Sequence, residues 1–188
     1  MTMNPKQHYG SYLKERNIYC EEDLHEGVPR ITTLLTGFEH CPSKRLESCV
    51  YFHEDSIEAR VYYANPGPEV VRKSEHINDL YRLLNYINAQ VFPKNKDGAD
   101  GTVYAPSYLV TPRFFMTEDG CCDITALIAM DNDLYMTAPL EVCDYISVAL
   151  PWLMGELAPY IFGVLLGNTN VEYAIKLIQF HILRAAEE

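Results

Sequence analysis

The chain has 188 residues, 48% of them hydrophobic and 22% charged. That suits one folded domain and excludes wholesale disorder and a disulfide-stapled miniprotein. The net charge of −11 and a pI near 4.9 leave little basic surface to neutralise phosphate, which excludes nucleic acid as a partner and favours a cationic one.

Residues 1–6 are polar and no apolar stretch follows, so no secretory signal is expected. Cysteines 20, 41, 49, 121, 122 and 143 are too sparse and irregular for a disulfide framework. Reduced thiols in a cytoplasmic protein are the expectation.

The first helix is expected from Asn4, an N-cap, with Pro5 in its first turn and Tyr9, Tyr12, Leu13 and Arg16 near one side. Glu21-Glu22-Asp23 reads as an acidic loop or frayed turn. Three strands follow, at 30–36, 48–52 and 57–63, on β-branched content and alternation, and His53-Glu54-Asp55-Ser56 makes the last two a hairpin. Asn65-Pro66-Gly67-Pro68 stops the sheet. Ser74 then caps a helix whose Ile77, Leu80, Tyr81, Leu84, Ile87 and Val91 repeat at three- and four-residue steps.

The segment 93–101 is a loop without the glycine spacing of a phosphate cradle. A second hairpin runs from Leu109 to Thr117, turns at Glu118-Asp119-Gly120 and returns from Cys122 to Met130. Both faces of the returning strand are apolar enough for burial on two sides, and Pro112 assigns its partner to an edge. Thr137 is expected to cap the next helix, with Pro139 in its first turn. Tyr145 to Gly167 is long enough to cross a bilayer, with Glu156 its one charge. Pro151, Pro159 and that carboxylate argue instead for a buried helix broken into shorter pieces. Gly167 ends it, and Thr169-Asn170-Val171-Glu172 reads as a capping box for a last helix with Val171, Ala174, Ile175, Ile178 and Ile182 on its apolar face.

The predicted order is α-βββ-α-ββ-α-α: a single α+β domain over 1–188 on an antiparallel sheet, built from a three-strand meander plus a hairpin, with 166–188 as an additional C-terminal helix. With Leu80-Tyr81-Arg82-Leu83-Leu84-Asn85-Tyr86-Ile87-Asn88 as the middle helix, this order resembles the type III secretion chaperones and the related YbjN family. Asp123-Ile124-Thr125-Ala126-Leu127 and Leu166-Gly167-Asn168-Thr169-Asn170-Val171-Glu172-Tyr173-Ala174-Ile175 carry the rest of the likeness. The resemblance implies a chaperone-like, often dimeric fold with no catalytic residues to carry over. The 93–107 loop and the extra C-terminal helix depart from the compact pattern and leave the dimer geometry open.

Among chemical candidates, His40, Cys41, Cys49 and His53 are suitable zinc ligands by type. Strand rise, however, separates Cys49 from His53 by about 13 Å, so no metal site is assigned. Cys121-Cys122 sits at a turn where Asp119 and Asp123 would raise the thiol pKa, against a redox role. Cys143 belongs to a buried helix face, and pairings of Cys49 with His76 or Cys143 with His181 are merely conceivable. No nucleophile elbow, metal-binding helix or carboxylate pair appears. No cofactor and no enzymatic activity are expected.

Fourteen tyrosines suit half-buried surfaces and interfaces, although core packing explains most equally well. The preferred expectation is a non-enzymatic protein- or peptide-binding protein, homodimeric and not membrane-bound, with Ile77, Leu80, Tyr81 and Leu84 as candidate interface. Its mechanism would be burial of an extended or helical partner segment on an apolar groove, with main-chain pairing at an exposed sheet edge supplying register and an acidic rim excluding anionic competitors. The alternative is a small-molecule sensor or enzyme with a pocket between sheet and broken helix, using a buried Glu156 of raised pKa.

Overall fold

The computed structural model describes residues 4–91 and 110–183. Asn4 caps helix α1 (Pro5–Glu15) as expected, its side chain accepting from the Gln7 N–H. Four strands then run as a meander: β1 (Cys20–His25), β2 (Val28–Thr36), β3 (Arg45–Phe52) and β4 (Ser56–Tyr63). Helices α2 (Gly67–Lys73) and α3 (Ile77–Gln90) lead to the hairpin β5 (Arg113–Met116) and β6 (Ile124–Asp131). Helices α4 (Asn132–Thr137), α5 (Pro139–Asp144), α6 (Leu150–Leu165) and α7 (Val171–His181) close the chain. The sheet is antiparallel throughout, in the order β1-β2-β3-β4-β6-β5. The α+β class holds, with the meander one strand longer than the sequence suggests.

One face of the sheet carries Ile31, Val50, Ala59 and Ile128 in a cross-strand row, and it shares a core with α1, α3, α6 and α7. The opposite face presents Thr32, Tyr51, Glu58, Arg60 and Tyr62, all half-buried. On β6 the residues 124–128 are buried whichever face they occupy, and β5 is an edge strand immediately after Pro112, both as predicted. The predicted loop 93–101 and the hairpin start at Leu109 lie outside the described residues.

Several expectations are corrected. The sheet does stop before Asn65-Pro66-Gly67-Pro68, β4 ending at Tyr63, but the same stretch also opens an unexpected helix, α2, because proline in a first helical turn lacks an N–H that would have no partner there. Ser74 does not cap α3: its hydroxyl accepts from the His76 N–H at 3.0 Å and donates to the Leu165 carbonyl at 2.6 Å, tying α3 to the end of α6. Ala138, not Thr137, precedes α5, and Thr137 bonds back to the Asp133 carbonyl inside α4. Asn170, not Thr169, caps α7 through the Tyr173 N–H, and Glu172 pairs with Arg82 of α3 at 2.7 Å.

The two prolines do not break the apolar segment. Pro139–Leu165 is a continuous helical run with a π-helical turn at Tyr145–Ala149. There the Leu150 N–H reaches back five residues to Tyr145, just before Pro151, which has no N–H to offer. Pro159 sits inside α6, where Leu157, Ala158, Ile161 and Phe162 are buried around it; that packing offsets a proline cost of about 3 kcal/mol. Among the described residues this run is long and apolar enough to cross a membrane, yet 61% of its most apolar window is buried within the domain. It is the core helix of the fold.

Candidate binding edge

The two ends of the sheet are finished differently. At β5, the Asn88 side chain of α3 donates to the Phe114 carbonyl at 2.8 Å and accepts from the Phe114 N–H at 2.7 Å. A side-chain amide thereby takes the place of a neighbouring strand and covers that edge.

At β1 no such cover exists among the described residues. β1 pairs only with β2, through Cys20↔Thr33 to His25↔Val28. The connecting turn is Glu26-Gly27, with positive φ at both residues (51° and 82°), the twist that two-residue hairpins require. Such a turn makes His25 and Val28 a hydrogen-bonded pair, and bonded pairs alternate along an antiparallel ladder. Asp23–Arg30 and Glu21–Thr32 therefore bond as well, while the N–H and C=O groups of Glu22 and Leu24 point away from the sheet. All of β1 beyond Cys20 is exposed, Leu24 at 69% and the preceding Tyr19 at 76%.

The strand is also tethered. On the helical side Lys6 of α1 meets Glu22 at 2.7 Å. On the other side Arg30 holds Asp23 with two hydrogen bonds, of 2.9 and 2.5 Å, and keeps its carboxyl below the ordinary carboxylate value. Arg30 and Arg60 both approach the Tyr51 ring, at 5.8 and 5.4 Å from its centroid, and Arg60 bonds Glu58 at 2.6 Å. Exposed pairs of this kind contribute about 0.2–1 kcal/mol each, so the network fixes the position of β1 more than it stabilises the domain. Glu21 accepts a hydrogen bond from Tyr19, and Glu26 has no ion pair among the described residues. The edge is thus held in place, acidic and open.

Of the interface residues suggested by the sequence, Leu80 and Leu84 are buried in the chain's own core and Ile77 is half-buried against it. Tyr81 alone of the four is exposed, at 42%. Their stripe faces inward because α3 must cover the sheet and α6. Glu156 is exposed, which corrects the buried acid that a pocket reading requires.

All six cysteines are free. Cys41 is in the core, Cys49 lies between the Thr32 and Tyr62 hydroxyls, and His53 is exposed at the hairpin. Among the described residues no three His, Cys, Asp or Glu side chains are grouped to hold a metal. The Cys121 thiol is raised, chiefly by Asp119 and further by Asp123. Neither conceivable Cys–His pairing forms: His76 faces Asp79, and His181 stacks near Tyr160 and Phe180. Cys143 instead meets Tyr135 at 3.2 Å, whose hydroxyl lies 3.1 Å from His8 Nδ1. Burial pushes that thiol up to about 11, which favours the neutral thiol at neutral pH in a polar contact between α1, α4 and α5, with Cys143 Sγ 3.8 Å from His8 Nδ1.

A shallow groove of about 470 Å³ lies between α2, the start of α3 and the end of α6. Its Ser74 hydroxyl is consumed by the helix ends, and its His76 ring packs so closely on Gly167 that a Cβ there would sit 2.9 Å from Nε2.

The sequence reading misses β1 because Cys-Glu-Glu-Asp-Leu-His lacks apolar alternation, an edge strand having little to bury. The available signal is Glu26-Gly27 ahead of a β-branched run, a weaker form of the Asn-Gly hairpin signature. No protein-family model, curated protein or solved structure matches the chain.

Proposed function

We propose that this is a non-enzymatic protein-binding protein of the YbjN, type III secretion chaperone-like kind, which takes an extended segment of its partner onto β1 by strand addition. The observation that carries the reading is the inequality of the two sheet edges: a side-chain amide covers β5, whereas β1 is tethered on both faces with its outward main-chain groups unpaired. Strand addition draws affinity from those main-chain groups and specificity from alternate side chains. Self-association, in this reading, uses another surface, where Val148 and Trp152 stand exposed one turn apart on the long helix. Six free thiols suit a reducing compartment such as the cytoplasm. The competing small-molecule reading lacks its buried acid, because Glu156 faces solvent.

The test replaces Leu24 with proline. Its N–H points away from β2, so proline there leaves the β1–β2 ladder intact and removes a donor from the free edge. Affinity capture from the native cell should recover a partner with the parent chain and lose it with Leu24→Pro of unchanged thermal stability. Equal recovery by both chains would refute the proposal.

A further inference from the structure

The chemistry of the edge also selects its occupant. We infer that the segment docking on β1 is basic, with Lys or Arg at alternate positions on the side away from the helices. This inference rests on the strand-addition reading and deepens it.

Glu21 and Asp23 project from the same face of β1, two residues and so about 6.6 Å apart. Their cross-strand neighbours on β2 are Thr32 and Arg30. Arg30 engages Asp23, and Glu21 has no cationic partner among the described residues. On the other face Glu22 is held by Lys6, followed by exposed Leu24. Glu26 adds another carboxylate at the turn. A partner strand beside β1 therefore meets Glu21 and Asp23, followed by His25, on its outer side, and Glu22, already paired with Lys6, followed by Leu24 on its inner side. Cross-strand pairs of opposite charge are favourable and like charges directly opposite are not.

The same arithmetic disfavours two occupants. A second copy of the chain, paired β1 to β1 and centred on Glu22, would set Glu22 against its own equivalent and Glu21 against Asp23. An acidic segment would meet them likewise, under a molecule-wide charge of −11 that slows its approach and speeds that of a basic one.

The experiment uses the full chain and three nine-residue peptides blocked at both ends, carrying Lys, Ser or Glu at alternate positions with Val between them, in fluorescence anisotropy titrations. The Lys peptide is expected to bind about tenfold more tightly than the Ser peptide, from two or three cross-strand charge pairs, and to lose that margin at high salt. Glu21→Lys should shrink the margin and bring the Glu peptide into range. Leu24→Pro should abolish binding of the Lys and Ser peptides, with circular dichroism and melting temperature confirming that each variant is folded. If the Ser or Glu peptide binds the parent chain as tightly as the Lys peptide and Leu24→Pro still abolishes it, the basic occupant is overturned while strand addition stands. If no peptide binds, or Leu24→Pro changes nothing, both are overturned.

Discussion

Replacing Asn88 with alanine should uncover the second sheet edge. The side chain makes two hydrogen bonds to Phe114, at 2.8 and 2.7 Å, both part-buried. Bonds of this kind are worth about 0.5–1.5 kcal/mol net. Against that, alanine is the better helix former by roughly 0.5 kcal/mol in the last turn of α3. The expected net loss is about 1–2 kcal/mol, and a domain of this size loses about 2–4 °C in Tm per kcal/mol. Calorimetry should therefore find Tm lowered by roughly 2–8 °C. Because the exposed strand reads Arg-Phe-Phe-Met, light scattering should also rise with concentration. Asn88→Asp is the control: it keeps the acceptor for the Phe114 N–H but turns a carboxylate toward the Phe114 carbonyl, so it should be no better than alanine. A Tm within 1 °C of the parent value for both variants (about 0.3 kcal/mol), with unchanged scattering, would refute the account of how this edge is closed.

Other consequences follow from packing and titration. Gly155→Ala would place a Cβ 2.7 Å from Phe38 and should cost about 1–3 kcal/mol in urea unfolding; Phe38→Leu in the same chain should recover part of it. Iodoacetamide at pH 8 should leave Cys143, fully buried with its thiol pushed up to about 11 by burial, unlabelled in the native protein, while exposed Cys121 is alkylated; mass mapping that finds Cys143 modified first would contradict the packing of α1. The carboxyls of Asp23 and Glu172 are held below their ordinary values by Arg30 and Arg82. Their contribution to stability is present above those ordinary values and is lost as pH falls through the depressed folded ones. Asp23→Asn and Glu172→Gln should thus be less stable than the parent chain at pH 7 and converge with it in strong acid; a gap that persists there would argue against these pairings.

Much of the fold is legible in the residues because burial imposes periodicity. Alternation in Ile57-Glu58-Ala59-Arg60-Val61 puts Ile57, Ala59 and Val61 in the core, and the three- and four-residue steps of Leu80, Leu84 and Ile87 mark the buried side of α3. The same signal misleads about the site. A strong apolar stripe identifies what the domain hides from water, so Leu80 and Leu84 were the least available residues for a partner. β1 shows the converse: its strand character comes from pairing with β2 and from the Glu26-Gly27 turn, both invisible to a search for apolar alternation. The local cost of the prolines predicts a broken helix, as it would for an isolated one. In the folded chain the π-helical turn before Pro151, and the burial of Leu157, Ala158, Ile161 and Phe162 on either side of the solvent-facing Pro159, outweigh it. Glu156, conspicuous among apolar neighbours in sequence, is where α6 meets solvent.

Residue-resolved amide hydrogen exchange, with and without the bound Lys peptide, probes the open edge most directly. In the free protein the Glu21, Asp23 and His25 amides should be protected by β2, and those of Glu22 and Leu24 should exchange fast; peptide should slow the second pair selectively. Uniform protection along β1 in the free chain, or a bound peptide that slows amides only on the helices, would contradict the claim that β1 is an open strand-addition site.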